Sequence, residues 1–119
     1  MTIAGFHNPE NSKYVRWKLG DQLIVKRYPA VAYAVELASH ERVAIVEPYD
    51  GSPHNAVIYN ADGSPRIRLE NPLAFQGAIC FAHPYYVGPE LTIVAALPGI
   101  QFGCVFDEDG RLIRTYETR

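Results

Sequence analysis

A chain of 119 residues with 48% hydrophobic and 20% charged residues can bury one core of its own and is too apolar for a disordered segment. Nine Gly and nine Pro without a period exclude a collagen-like chain. A formal net charge of −2 argues against a dedicated nucleic-acid binder, which carries a basic face.

Met1 to Pro9 has no basic cluster followed by an apolar run, so no secretory leader is expected. Val15, Trp17 and Leu19 then alternate with Arg16 and Lys18, the period of a strand with one buried face. Gly20-Asp21 turns the chain into a second strand over 22–28. Residues 30–42 fit two templates. Val31, Ala34, Val35 and Ala38 share a helical face, whereas Val31, Tyr33, Val35 and Leu37 share a strand face. Strict alternation of β-branched and aromatic residues favours the strand, with Ser39-His40-Glu41 as a hairpin loop. Segments 43–47 and 55–60, either side of Asp50-Gly51, are short and rich in Val, Ile and Tyr, as strands are. After Asp62-Gly63, Ile67 and Leu69 alternate with Arg66, Arg68 and Glu70. Segments 78–82, 91–97 and 101–107 follow, and alternation resumes beyond Asp109-Gly110.

Strand, short turn, strand predicts an all-β or β-rich α+β fold in one domain over residues 1–119. The expected form is a mostly antiparallel meander of at least seven strands, curved into a sheet, a sandwich or a partly open barrel. Trp17, Ile58, Ile79, Ile93 and Phe106 are expected in the core. Gly63 and Gly110 are expected at positive φ, since each closes a hairpin. The longest apolar run, Leu91 to Leu97, is far below the ~20 residues of a membrane helix, and the expected location is the cytoplasm.

Ala56 to Gly63 aligns with Gly103 to Gly110, and each ends in an Asn/Asp-x-Asp-Gly loop. Alternate carboxylates suit a calcium loop, but the chain returns at once to strand with no later glutamate to complete a cage, so hairpin turns are expected. His7, His40, His54 and His83 form no local metal pair, and His40 and His54 are expected in solvated loops. Cys80 and Cys104 sit in apolar text and read as buried, reduced thiols. Glu36, Glu47 and Glu70 lie in strand text, where one facing a barrel interior would serve as a general acid. Arg66, Arg68 and Arg114 read as a solvated sheet face. No phosphate loop, nucleophile elbow or metalloprotease motif occurs. No catalytic, metal or cofactor residue is therefore assigned.

The aromatic connections carry the sharper signal. Glu47-Pro48-Tyr49-Asp50, Pro72-Leu73-Ala74-Phe75 and His83-Pro84-Tyr85-Tyr86-Val87-Gly88-Pro89 place large rings in predicted loops. Such rings either form a protein contact surface or fold back as a lid on the sheet. The contact reading selects Tyr49, Phe75, Tyr85 and Tyr86, with Asp50 and Glu90 on a charged rim.

Asn55 to Gly63, Ile67-Arg68-Leu69 and Cys104 to Leu112 together resemble small bacterial β-rich proteins of immunity type, encoded beside polymorphic toxins. In those proteins an aromatic, often Trp, stands where this chain has Ile67. The same hairpin text is similar to single blades of β-propellers and to the repeats of large toxin shells. The immunity-type resemblance implies a non-enzymatic cytoplasmic protein that binds a cognate partner such as a toxin domain, without cofactor, nucleic acid or membrane. The alternative from strand number is a small-molecule-binding β-barrel or small barrel enzyme. A third is a homodimer paired through a sheet edge.

Overall fold

The computed structural model describes residues 1–118. Eleven strands form three antiparallel sheets, each a meander in chain order. The first sheet holds β1 (Ala4–His7), β2 (Tyr14–Leu19) and β3 (Gln22–Arg27). The second holds β4 (Tyr33–Glu36), β5 (Arg42–Val46), β6 (Ala56–Asn60) and β7 (Pro65–Leu69). The third holds β8 (Cys80–Val87), β9 (Glu90–Leu97), β10 (Ile100–Phe106) and β11 (Leu112–Thr118). A 3-10 turn over Ala74–Gln76 links the second sheet to the third. Among the described residues the sheets stack and do not close into a barrel, so no barrel interior exists for Glu36, Glu47 or Glu70 to face.

The middle sheet explains the stack. In β5 and β6 nearly every residue is buried, because alternate side chains enter two cores, the first core shared with the first sheet and the second core with the third. Val43, Ile45, Val57 and Tyr59 meet Val15, Trp17 and Ile24 of the first sheet. Ala44, Val46, Ala56 and Ile58 meet Phe81, Ile93, Cys104 and Phe106 of the third. Two-faced burial is why these segments read as continuous apolar runs. Polar clasps join the layers. The Trp17 indole N–H donates to the Ala61 carbonyl at 2.7 Å. Buried Asn55 donates to the Phe81 carbonyl at 2.9 Å and accepts the Phe81 N–H at 2.7 Å, extending the sheet hydrogen bonding to β8. Ser39 N–H and hydroxyl both donate to the Glu108 carboxylate, tying the β4–β5 turn to the β10–β11 turn. The accessible surface is 6577 Å².

Gly63 and Gly110 take φ of +89° and +83°, as the hairpins require. The loop carboxylates are engaged by their own turns. Asp62 accepts the Ser64 N–H and hydroxyl, and Asp107 accepts the N–H groups of Asp109 and Arg111. Residues 33–36 are a strand and Ser39-His40-Glu41 its hairpin loop.

Several expectations are corrected. Ile79 is 44% exposed, not core. It precedes β8 and its N–H pairs with the Ala96 carbonyl at the sheet end. Tyr85 and Tyr86 lie in β8, not in a loop. Pro84 is tolerated there because β8 is an edge strand with a register shift between Phe81 and Pro84. His54 is half-buried and its Nδ1 accepts the Asn71 N–H at 2.8 Å. β1 has no counterpart in the alternation pattern.

Cys80 and Cys104 are both free and point to opposite faces of the third sheet, Cys80 with Ala96 and Cys104 with Ile93. Burial pushes the Cys104 thiol up to about 12 and raises that of Cys80. In the native protein a thiol reagent should label half-buried Cys80 slowly and Cys104 only on unfolding. Rapid native labelling of Cys104 would mean that the second core opens freely.

Candidate functional site

Glu47 follows β5 and anchors one end of the molecule. Its Oε2 accepts the Tyr28 hydroxyl at 2.9 Å and the Tyr59 hydroxyl at 2.5 Å. Its Oε1 accepts Arg68 at 3.3 Å, and its backbone exchanges bonds with Asn55. Lys26 lies 4.4 Å from the Tyr59 ring centroid. Burial first, then the adjacent Glu47 carboxylate, raises both phenols. Tyr59 is pushed up to about 12, and Tyr28 is raised further. Both phenols therefore stay protonated and keep donating near neutral pH. With three donors on its two oxygens, Glu47 is a fixed support for the loop that follows it.

On this support stand Pro48, Tyr49 and Asp50. Tyr49 is 56% exposed and separates two hollows. One, about 160 Å³, is lined by Tyr33, Val46, Cys80 and Phe81; the other, about 240 Å³, by Tyr28, Pro29 and Asp50. Both share Glu47, Pro48 and Tyr49 as a wall. Asp50 is exposed and accepts the Ser52 N–H at 3.2 Å, which shapes the loop.

From the first hollow an aromatic row crosses the outer face of the third sheet. The Tyr33 and His83 ring centroids are 6.4 Å apart, and those of His83 and Tyr85 5.8 Å. Tyr116 follows, and its hydroxyl beside Tyr85 adds to the upward shift that burial imposes on that phenol. Tyr116 lies over Gly103, where an added Cβ would come within 2.5 Å of its ring. The absence of a side chain at Gly103 lets the ring lie flat. Glu90 closes the row. It is paired with Arg114 of β11, which holds its carboxyl below the ordinary carboxylate range.

Four of the six expected contact residues, Tyr49, Asp50, Tyr85 and Glu90, thus lie along one band. Tyr86 turns the other way. It packs against the second core, and its oxygen accepts the Ala38 N–H at 2.8 Å. Phe75 stands apart on the 3-10 turn, fully exposed. Arg66, Arg68 and Arg114 are exposed, as expected, but each is paired, with Asp109, Glu47 and Glu90. Tyr33, His83 and Tyr116 join the band without belonging to the contact set that the sequence predicts. His83 shares a strand face with Tyr85 in β8, whereas Tyr33 of β4 and Tyr116 of β11 come beside them only through tertiary packing.

These features define an all-β protein of three stacked meander sheets with an aromatic band over one end and one outer face. Among the described residues, no helix is long and apolar enough to cross a membrane. No protein-family model matches the sequence, and no curated protein does. Among solved structures, a chain of "Structure of Tne2 in complex with Tni2" shares the fold. The TM-score is 0.72 at 18% identity, over 93% of this chain and 80% of that one.

Proposed function

We propose that this protein works by stoichiometric binding of a cognate protein, without catalytic turnover, as an immunity-type protein that neutralises a bacterial toxin domain in the cytoplasm. The observation that carries the reading is the aromatic band. Tyr49 stands on a clamped loop between two hollows, and the row from Tyr33 to Tyr116 continues from it across a sheet. Rigid rings on a fixed scaffold give contact area at low entropy cost. Asp50 and Glu90 supply the charged rim, and the net charge of −2 favours a basic partner. Phe75 offers a separate anchor, and Tyr86 acts through the β4–β5 turn that it holds. The hairpin resemblance to immunity-type proteins supports the reading, as does a shared fold with a chain from a two-protein complex.

Co-expression with the product of the adjacent gene should give a stable one-to-one complex. Tyr49→Ala and Tyr85→Ala should each weaken it by about tenfold or more. Failure to form a complex with any neighbour-encoded protein, or turnover of a metabolite by the purified chain, would sink the reading. A complex indifferent to both substitutions would place the contact elsewhere.

A further inference from the structure

The outward face of the first sheet differs from the molecule's other charged surfaces. Residues 1–28 hold five of the chain's eleven Lys and Arg and two of its thirteen Asp and Glu, a local charge of +3 in a chain of −2. The register sets Tyr14, Arg16 and Lys18 of β2 opposite Arg27, Val25 and Leu23 of β3. Val15, Trp17 and Ile24 point into the core, so these six side chains share the face turned away from the second sheet. Arg16, Lys18 and Arg27 are exposed. The segment's two carboxylates, Glu10 and Asp21, lie in the turns flanking β2, and among the described residues none of the three cations forms an ion pair. By contrast Arg42, Arg66, Arg68 and Arg114 are each paired with a carboxylate. Between the cations Leu23 is 54% exposed, and a shallow groove of about 170 Å³ runs past Tyr14, Leu23 and Val25.

We infer that this face docks an acidic protein surface, one that sets two or three carboxylates around an apolar side chain. Arg16 and Lys18 are two residues apart on one strand, about 7 Å. Arg16 and Arg27 are diagonal neighbours across the ladder, about 7–8 Å apart. Such spacing lets separate carboxylates each meet a cation while an apolar side chain covers Leu23. Complementary charge steers the encounter, and the apolar centre adds burial. An extended polyanion of evenly spaced charges is the poorer fit, because it offers no apolar side chain to cover exposed Leu23. The first and third sheets lie on opposite faces of the second, so this surface is remote from Tyr85 and Tyr116 and its test does not involve the aromatic band.

The probe is a labelled peptide repeating Glu-Ser-Glu-Ser-Leu-Ser, which in extended form sets two Glu about 7 Å apart and a Leu beside them along one side. Its binding is followed by fluorescence anisotropy, beside a single-stranded oligonucleotide of equal charge. The peptide should bind at low salt and weaken as salt rises from about 0.05 to 0.3 M. Arg16→Ala with Arg27→Ala should cost at least about tenfold in Kd, and the paired Arg→Lys substitutions should keep most of the affinity. Arg111→Ala, an exposed arginine outside the face, should change nothing. Melting curves of all variants should coincide with that of the parent. Absence of peptide binding, or an equal loss with Arg111→Ala, overturns the inference. So does tighter binding of the oligonucleotide that is lost in the double variant, which would make this a nucleic-acid face.

Discussion

Replacing Trp17 by alanine is expected to remove about 3–5 kcal/mol of stability, the usual cost of deleting a large buried aromatic. Trp17 has no exposed surface, and it fills the first core against the middle sheet. Its indole N–H also satisfies the Ala61 carbonyl in the β6–β7 turn. The loss is a large fraction of the roughly 5–15 kcal/mol that holds a typical domain. In a thermal melt followed by circular dichroism, the midpoint should fall by more than about 10 °C. Trp17→Phe keeps most of the ring and loses only the donor, so it should fall between parent and alanine variant. A shift of only a few degrees for the alanine variant would show that the first sheet is not held to the second through this residue.

Gly63→Val should cost about 3 kcal/mol, from two sources that a control can separate. The backbone there has φ +89°, a region that β-branched residues resist at about 1–2 kcal/mol. A Cβ would also come within 2.8 Å of Ile24 Cγ2, and crowding a packed interface adds about 1–3 kcal/mol. Gly51 has φ +102° with open space around the added atom. Gly51→Val should therefore show the strain alone. Gly110→Val, whose Cβ would meet Ile67 and Leu69 at 3.0 Å, should fall between them. Urea midpoints measure all three. Equal losses at 51 and 63 would mean that the Ile24 contact yields freely.

The hairpins were legible in the sequence because a period of two and an Asp-Gly turn are local signals, and both survive into the structure at β6–β7 and β10–β11. β1 was not legible, since Ala4-Gly5-Phe6-His7 has no alternation and its register with β2 is irregular. β8 was cut short for a related reason. Pro84 reads as a break, yet an edge strand has no outer ladder for proline to interrupt. Of the candidate site, the Tyr49–Asp50 loop was visible as a turn-flanked aromatic. The rest was not, because it is assembled by tertiary packing. Glu47 meets Tyr28 from before it in the chain and Tyr59 and Arg68 from after it. Tyr33 of β4 and Tyr116 of β11 reach His83 and Tyr85 of β8 only through tertiary packing.

The middle sheet also solves a problem that polarity cannot. Strand register is ordinarily fixed because a slip by one residue turns apolar side chains to water. In β5 and β6 both faces are dry, so a slip would expose nothing. Side-chain size breaks the tie. Toward the first sheet the opposed pairs are Val43 with Tyr59 and Ile45 with Val57, all bulky. Toward the third they are Ala44 with Ile58 and Val46 with Ala56, each containing one alanine. The lower relief on that side makes room for Phe81 and Phe106, whose rings meet edge to face at 6.1 Å. A slipped strand would drive the tall row into the phenylalanines and leave voids around Trp17. The two rows work as a key cut differently on its two edges, and alanine, the least conspicuous residue in the alignment of strands, decides which way round it fits.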